Sequence, residues 1–275
     1  MSTNDLTPND LLPGDVLLHM GAGELSKLIA WVGDSLYSHA ALVVDKGQLI
    51  EAAASGVRRA GLAERARMTK AFHYIDVFRP AQPAPDNHSG LAALLAASDA
   101  YLGRPYPMTS LFQLGVTCAV RNKLTDDPAL RIALRMALDL VVKNDTDKVV
   151  CSELVYRGFD EARTTPAHAL RLQISTRAVP HQPVPKIDVD ALANECLEDY
   201  RHSLPAHSLQ ADANGAKASA RDLDDLLGAA RSRLGIGQAS LQAAADYAPN
   251  PKTVLPADLE FSPGLRRMGR LAMAA

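Results

Sequence analysis

Cys151, His39 and Glu51 have side chains of the types used in nucleophilic catalysis. Cys151 follows two β-branched residues and precedes a run with helical spacing, which predicts a position at the start of a helix. The first turn of a helix presents unpaired N–H groups and the positive end of the macrodipole, which favour a thiolate and can bind an oxyanion. A small buried cysteine in a core helix explains the local sequence equally well. A second catalytic side chain is needed to distinguish the two interpretations.

His39 lies at the start of an otherwise apolar strand, and Glu51 lies in the apolar run that follows. The intervening Asp45-Lys46-Gly47 predicts a β-hairpin, with Gly47 available for a positive φ. Their separation of 51 − 39 = 12 residues places the two side chains on one face if the turn is centred on Asp45. A centre one or two residues later places them on opposite faces unless a bulge intervenes. A lone histidine here is more often satisfied by a backbone carbonyl.

A thiol, an imidazole and a carboxylate together supply what a cysteine hydrolase requires. In this interpretation Cys151 attacks a carbonyl carbon and His39 acts as the base. Glu51 fixes the imidazole tautomer and stabilises the imidazolium. Tyr37 and Tyr106 are weaker candidates for lining a substrate cleft or donating to an oxyanion, because a tyrosine is more often a packing residue.

The elements that must position these residues predict an α+β fold, in which helices pack against one antiparallel sheet. The predicted strands are Leu12–Met20, Ser38–Val44, Gln48–Ala53 and Phe72–Phe78. The predicted helices are Glu24–Val32, Ser89–Tyr101, Thr109–Ala119, Pro128–Val142, Ser152–Ala162, Asp188–Tyr200 and Ala216–Tyr247.

A composition change divides the chain. Residues 164–185 carry four prolines, and residues 203–215 are small and polar. We therefore expect residues 1–162 and 248–275 to form the catalytic domain, with residues 163–247 as a mainly helical insertion or subdomain.

Bulk properties exclude several classes of partner. The 275 residues have a formal charge of −2 and contain no Lys or Arg run, which argues against nucleic acid. The apolar stretches are too short to span a bilayer, and the N-terminus lacks the pattern of a general secretory signal peptide. We expect a cytoplasmic protein or one exported by another route. Three widely spaced cysteines without a CxxC pair suggest no disulfide framework, metal or other cofactor.

Six motifs are considered together: Pro13-Gly14-Asp15-Val16, Tyr37-Ser38-His39, Ile50-Glu51-Ala52, Gly103-Arg104-Pro105-Tyr106, Cys151-Ser152-Glu153-Leu154-Val155-Tyr156 and Thr253-Val254-Leu255-Pro256-Ala257-Asp258-Leu259-Glu260-Phe261-Ser262-Pro263. They resemble one known family, the permuted NlpC-type papain-like cysteine amidases of the YiiX kind. In that family the histidine precedes the cysteine, an order shared with the lecithin:retinol acyltransferase-like enzymes. The resemblance covers about residues 12–162 and 252–270, and both the helix predicted at 128–142 and the 163–247 segment are longer than the family pattern.

The resemblance implies a bacterial thiol hydrolase of a permuted papain-like fold, with its catalytic residues at Cys151, His39 and Glu51. Hydrolysis of an amide bond in a cell-wall peptide or another acylated amine is the leading hypothesis. A lipid-directed thiol acyltransferase or lipase is the alternative, because the Ala- and Leu-rich helices could form an acyl groove. An inactive binding module that kept the fold is a third, since a fold does not determine a function.

Overall fold

The computed structural model describes residues 5–81, 89–107, 135, 142–174, 182–192, 194–195 and 248–273. Within them the strands are β1 (Asp5–Leu6), β2 (Val16–Gly21), β3 (His39–Asp45), β4 (Gln48–Ala53), β5 (Gly56–Gly61), β6 (Phe72–Pro80) and β7 (Leu265–Leu271). The helices are α1 (Glu24–Gly33), α2 (Leu62–Arg67), α3 (Ser89–Asp99), α4 (Cys151–Asp160) and α5 (Pro256–Glu260), with short 3-10 turns at Pro8–Asp10 and Pro251–Thr253.

The described strands form one seven-stranded sheet in the order β1-β7-β6-β2-β3-β4-β5. β1 and β7 are parallel, and every other neighbouring pair is antiparallel. β7 comes from the end of the chain yet lies between two strands from its beginning, so distant segments complete one sheet. The predicted α+β class is confirmed.

Both faces of this sheet are buried, which explains why its central strands have nearly continuous apolar sequences. On one face Leu18 and Leu42 join the apolar side chains of α3 and α4 in a single cluster. On the other face Leu17 and Val43 pack with residues of α2. Burying one such aliphatic side chain contributes about 1.5–3 kcal/mol. The central strands are therefore held firmly, and so are the residues at their ends.

Helix α4 is buried along almost its whole length, from Cys151 to Phe159, and packs against β3 and β4. Its polar residues have partners inside the protein. The Ser152 hydroxyl donates to the Val254 carbonyl at 2.7 Å. Glu153 pairs with Arg157 one turn later at 2.8 Å. These bonds offset the burial of polar groups and fix the helix rotationally.

The strand and helix predictions up to residue 101, and the helix predicted at 152–162, correspond to observed elements with small differences in their ends. β1, β5, β7, α2 and α5 were not predicted. The helices predicted at 109–119 and 216–247, almost all of that at 128–142 and part of that at 188–200 lie outside the described residues. No helix in the described ranges has both the length and the apolar character needed to span a membrane.

Candidate active site

Cys151 is the first residue of α4. The preceding Val150 has an extended backbone, and its N–H donates to the Glu153 side chain at 3.2 Å, which closes the first turn. The cysteine is 6% exposed. Its sulfur accepts hydrogen bonds from the backbone N–H groups of Ser152 and Ala40, and it also hydrogen-bonds to the His39 side chain. The thiol therefore lies where a helix start, a strand and an imidazole meet.

The hairpin between β3 and β4 contains the bulge that the sequence left open. The ladder shifts register between Val43 and Asp45, so Val44 is an extra residue in β3. The paired residues are Leu42 with Ile50, Val43 with Leu49 and Asp45 with Gln48. Gly47 completes the turn with φ +111°.

This bulge decides which face Glu51 occupies. Continued without a bulge, the turn register would set Glu51 opposite Leu42, an odd number of residues from His39. The bulged register sets it opposite Ala41, two residues from His39 and therefore on the same face. The Nε2 atom of His39 lies 2.9 Å from the Oε2 atom of Glu51. The other ring nitrogen, Nδ1, is left for the thiol.

Glu51 is 1% exposed and is surrounded by cations. Its Oε1 atom accepts from Arg65 at 2.5 Å and from two nitrogens of Arg58 at 3.2 and 3.3 Å. Burial by itself raises the pKa of the Glu51 carboxyl. The hydrogen bond from His39 and the charges of His39 and Arg65 outweigh burial and hold this pKa well below its usual range. Glu51 is therefore ionised at neutral pH.

Cys151 and His39 shift each other's proton affinity in opposite directions. Burial lowers the pKa of His39, but the Cys151 thiolate and the Glu51 carboxylate outweigh it and raise the pKa to about 9. Burial raises the pKa of the Cys151 thiol, while the His39 charge and the hydrogen bonds to the sulfur lower it overall. The two groups titrate as a pair in which the imidazolium favours the thiolate and the thiolate favours the imidazolium.

His19 forms a wall beside His39. It is fully buried, pairs directly with His39 across β2 and β3, and its ring lies edge-on to the His39 ring with centroids 5.1 Å apart. On the other side it contacts Phe72 at 4.9 Å. Its ring nitrogens lie near the His39 backbone without a well-formed hydrogen bond. Burial and the charges of His39 and Arg65 hold the pKa of His19 well below its usual range, so it is neutral.

The two candidate tyrosines occupy different settings. The Tyr37 ring is 2% exposed in the core, and its hydroxyl donates to Asp76 at 2.7 Å. Burial and the adjacent Asp76 raise the pKa of that hydroxyl. Tyr106 packs partly buried against the same core, on the loop whose Pro105 carbonyl accepts from the N–H of Val149, two residues before the cysteine. The Tyr37 hydroxyl is therefore engaged with Asp76, whereas the backbone next to Tyr106 is bonded to the segment that leads into α4.

Arg65, Arg58 and His19 belong to the site but were not predicted from the sequence. Arg58 directly opposes Glu51 across β4 and β5, a pairing that a prediction of β5 would have revealed. His19 lies in an apolar strand, as His39 does, and that shared setting was the available signal. Cys118 and Cys196 lie outside the described residues. Among the described residues, no three His, Cys, Asp or Glu side chains are grouped so that they could hold a metal ion.

Comparison with known proteins adds a distant structural likeness. No protein-family model matches the chain, and a search of curated proteins found no relative. A similar solved structure is the metalloprotein yiiX from Escherichia coli O157:H7, at a TM-score of 0.44 and 15% sequence identity. The match covers 94% of this chain and 97% of that chain. A TM-score below 0.5 at this identity leaves function to be inferred from the site itself.

Proposed function

We propose that the protein is a cysteine hydrolase that cleaves an amide bond through an acyl-enzyme on Cys151, with His39 as base and Glu51 as the residue that orients it. One observation carries the proposal: a thiol at a helix start is hydrogen-bonded to His39, whose Nε2 atom lies 2.9 Å from the buried Glu51 carboxylate. The chain of groups runs from nucleophile to base to orienting carboxylate, as thiol-dependent acyl transfer requires.

In this proposal the Cys151 thiolate attacks the amide carbonyl carbon, and the N–H groups at the start of α4 stabilise the resulting oxyanion. The C–N bond then breaks as the His39 imidazolium gives its proton to the leaving amine. Neutral His39 next takes a proton from water, and the hydroxide attacks the thioester carbonyl. Breakage of the C–S bond releases the carboxylic acid and restores the thiolate and imidazolium. Glu51 stays ionised throughout and keeps the Nε2–H of His39 pointed at itself.

The same proposal extends to the fold and its division. A permuted papain-like arrangement, with the base on a strand that precedes the nucleophile helix, accounts for the order of His39 and Cys151. Residues 1–162 and 248–275 are the proposed catalytic domain, and the pairing of β7 with β6 and β1 in one sheet supports including the second segment. Residues 163–247 are the insertion, and its first part docks on the catalytic core through Leu172, which is 3% exposed.

An amide of a cell-wall peptide or of another acylated amine is the proposed substrate, and the leaving group is then an amine that His39 can protonate. The extra helices that would form a lipid groove, predicted at 128–142 and within 163–247, lie largely outside the described residues. Amide hydrolysis is therefore favoured by the arrangement of the thiol, imidazole and carboxylate alone. The substrate assay must also test a lipid.

Thiol labelling tests the nucleophile. Iodoacetamide at limiting concentration should alkylate Cys151 much faster than Cys118 or Cys196, and should still do so well below the usual pKa of a thiol. His39→Gln should remove that advantage while Cys118→Ala leaves it intact. Equal labelling of all three cysteines in the folded protein would reject the catalytic role.

Substrate class is tested by incubating wild type and Cys151→Ala with peptidoglycan fragments and, separately, with phospholipid vesicles. Mass spectrometry should find cleaved amides only with wild type, together with an acyl adduct on Cys151. Acyl adducts from phospholipid alone would replace the amidase by the lipid-directed acyltransferase or lipase.

A further inference from the structure

Two guanidinium groups share one oxygen of Glu51, and they differ sharply in burial. Arg65 lies 2.5 Å from the Oε1 atom with 3% of its side chain exposed. Arg58 lies 3.2 Å from the same atom with 52% of its side chain exposed. The other oxygen of Glu51, Oε2, faces His39. The carboxylate is therefore divided between the base and one buried, permanent cation.

Arg65 is held in place by the packing of α2. The flanking Leu62 and Ala66 belong to the apolar cluster on that face of the sheet, so the side chain of Arg65 is directed inward. Its guanidinium carbon lies 4.9 Å from the centre of the Phe72 ring. A buried arginine is costly unless it is paired, and among the described residues its ion-pair partner is Glu51. Its position is thus tied to the carboxylate that orients His39.

Among the residues that the structure describes, the charged and titratable groups around Glu51 come from five elements. They are His19 on β2, His39 on β3, Arg58 on β5, Arg65 on α2 and, beyond His39, Cys151 on α4. His19 is neutral because it is buried, and β6 contributes the uncharged Phe72. Arg58 is largely solvated, so water screens its charge. Arg65 is therefore the cation that competes with His39 for the carboxylate at close range.

We propose that Arg65 is a positioning residue that shares the Glu51 carboxylate with His39 and so limits how strongly the imidazolium retains its proton. This inference rests on the proposed function, because a base that becomes a general acid must release its proton to the leaving amine. Removing a nearby cation favours states that hold more protons, so without Arg65 the pair of His39 and Glu51 should bind its proton more tightly. Turnover should then fall with little change in KM.

The test measures the proton affinity of His39 directly, by NMR titration of its ring proton in the full-length protein, assigned with His39→Gln. Arg65→Met should raise the pKa of His39 by about half a unit or more, as expected when a cation is lost from a partly buried site. This shift corresponds to an approximately threefold higher affinity of His39 for its proton. Arg65→Gln keeps a donor to Glu51 without the charge and should shift the pKa the same way. Arg58→Met removes the solvent-exposed donor to the same Glu51 oxygen and should shift the pKa of His39 far less.

Arg65→Lys retains the charge and should leave the pKa of His39 near the wild-type value, so the proposal stays testable even if neutral variants fail to fold. Circular dichroism establishes folding before each titration. An unchanged or lowered pKa in Arg65→Met, an equal rise in Arg58→Met, or a rise in Arg65→Lys would overturn the proposal. The titration needs no substrate. A protein that shows the expected shift but never forms an acyl-cysteine would reject the hydrolase and still retain the charge sharing.

Discussion

Neutralising Glu51 should destabilise the protein mainly by stranding Arg65. Both side chains are almost fully buried, at 1% and 3% exposure, and their ion pair is 2.5 Å long. Removing one member of such a pair costs about 3–5 kcal/mol because the remaining charge is buried without compensation. Arg58 is half exposed, so water can solvate its charge when Glu51 is neutralised. For Glu51→Gln, which keeps an acceptor, we expect the lower end, about 3 kcal/mol in the free energy of unfolding.

The double variant separates stranding from a loss of packing. In Glu51→Gln with Arg65→Met the buried cation is gone, and the methionine can pack on Phe72 as the arginine stem does. Replacing both members of a buried pair by uncharged groups is often close to neutral, so the double variant should recover most of the stability lost in Glu51→Gln. The expected coupling between Glu51 and Arg65 in the free energy of unfolding is at least about 1–2 kcal/mol, within the range found for residues in contact.

Urea unfolding at pH 7 measures these differences, and they can be compared only if the m-value is unchanged. Arg58→Met is the matched control and should change the unfolding free energy by less than about 1 kcal/mol, as for an exposed ion pair. If Glu51→Gln costs no more than Arg58→Met, or if the double variant is as unstable as the sum of the singles, stranding of Arg65 is not the cause.

The same pair has a pH dependence of defined sign. The pKa of Glu51 is lowered by folding, so its stabilising contribution is fully present above its unfolded value near 4.5 and is lost as the pH falls below it. The difference in unfolding free energy between wild type and Glu51→Gln should therefore narrow as the pH falls below about 4.5. At higher pH the difference also contains the titration of His39, whose pKa Glu51 raises, so the comparison is made only in this acid range. A difference that widens below about pH 4.5 would show that Glu51 is protonated in the folded protein.

Two further predictions concern the pH profile and the backbone. Amide hydrolysis should follow a bell-shaped profile: activity falls above about pH 9 as the His39 imidazolium loses its proton, and on the acid side as the Cys151 thiolate gains one below the usual thiol range. A basic limb near 6.5 would contradict the ion pair. Gly56 and Gly47 both have φ above +90°, but a Cβ on Gly56 would lie 2.8 Å from the Arg104 carbonyl, whereas Gly47 is open. Gly56→Ala should therefore lower the thermal unfolding midpoint more than Gly47→Ala, which bears only the cost of its φ, about 1–2 kcal/mol.

The sequence predicted the elements that hold the reacting groups because those elements are long and strongly apolar. β3 and α4 are buried almost throughout, and their hydrophobic patterns are clear. The register of the hairpin could not be predicted from the sequence, because the bulge at Val44 is one inserted residue that leaves the apolar pattern nearly unchanged. The face occupied by Glu51 depends on that single residue.

The unpredicted elements are short or carry charge where a sheet strand is expected to be apolar. β5 is an edge strand of six residues with Arg58 and Arg59 exposed, and α2 has six residues, fewer than two turns. β7 carries three arginines. Periodicity needs a longer window and a buried face, so such segments give weak signals. The arginines around Glu51 lie on two of these segments, and they were missed for that reason.

The site therefore depends on two kinds of element with different physical constraints. Cys151 and His39 lie on buried elements, where most substitutions would disturb the core before they changed the chemistry. Arg65 lies on a short helix that packs on one face of the sheet, and it is tied to the site through one carboxylate. Replacing this side chain changes a charge beside the base while the nucleophile and the strand that carries the base stay in place. Substitution of Arg65 should therefore shift the pH at which the site works, whereas substitution of Cys151 or His39 should abolish activity.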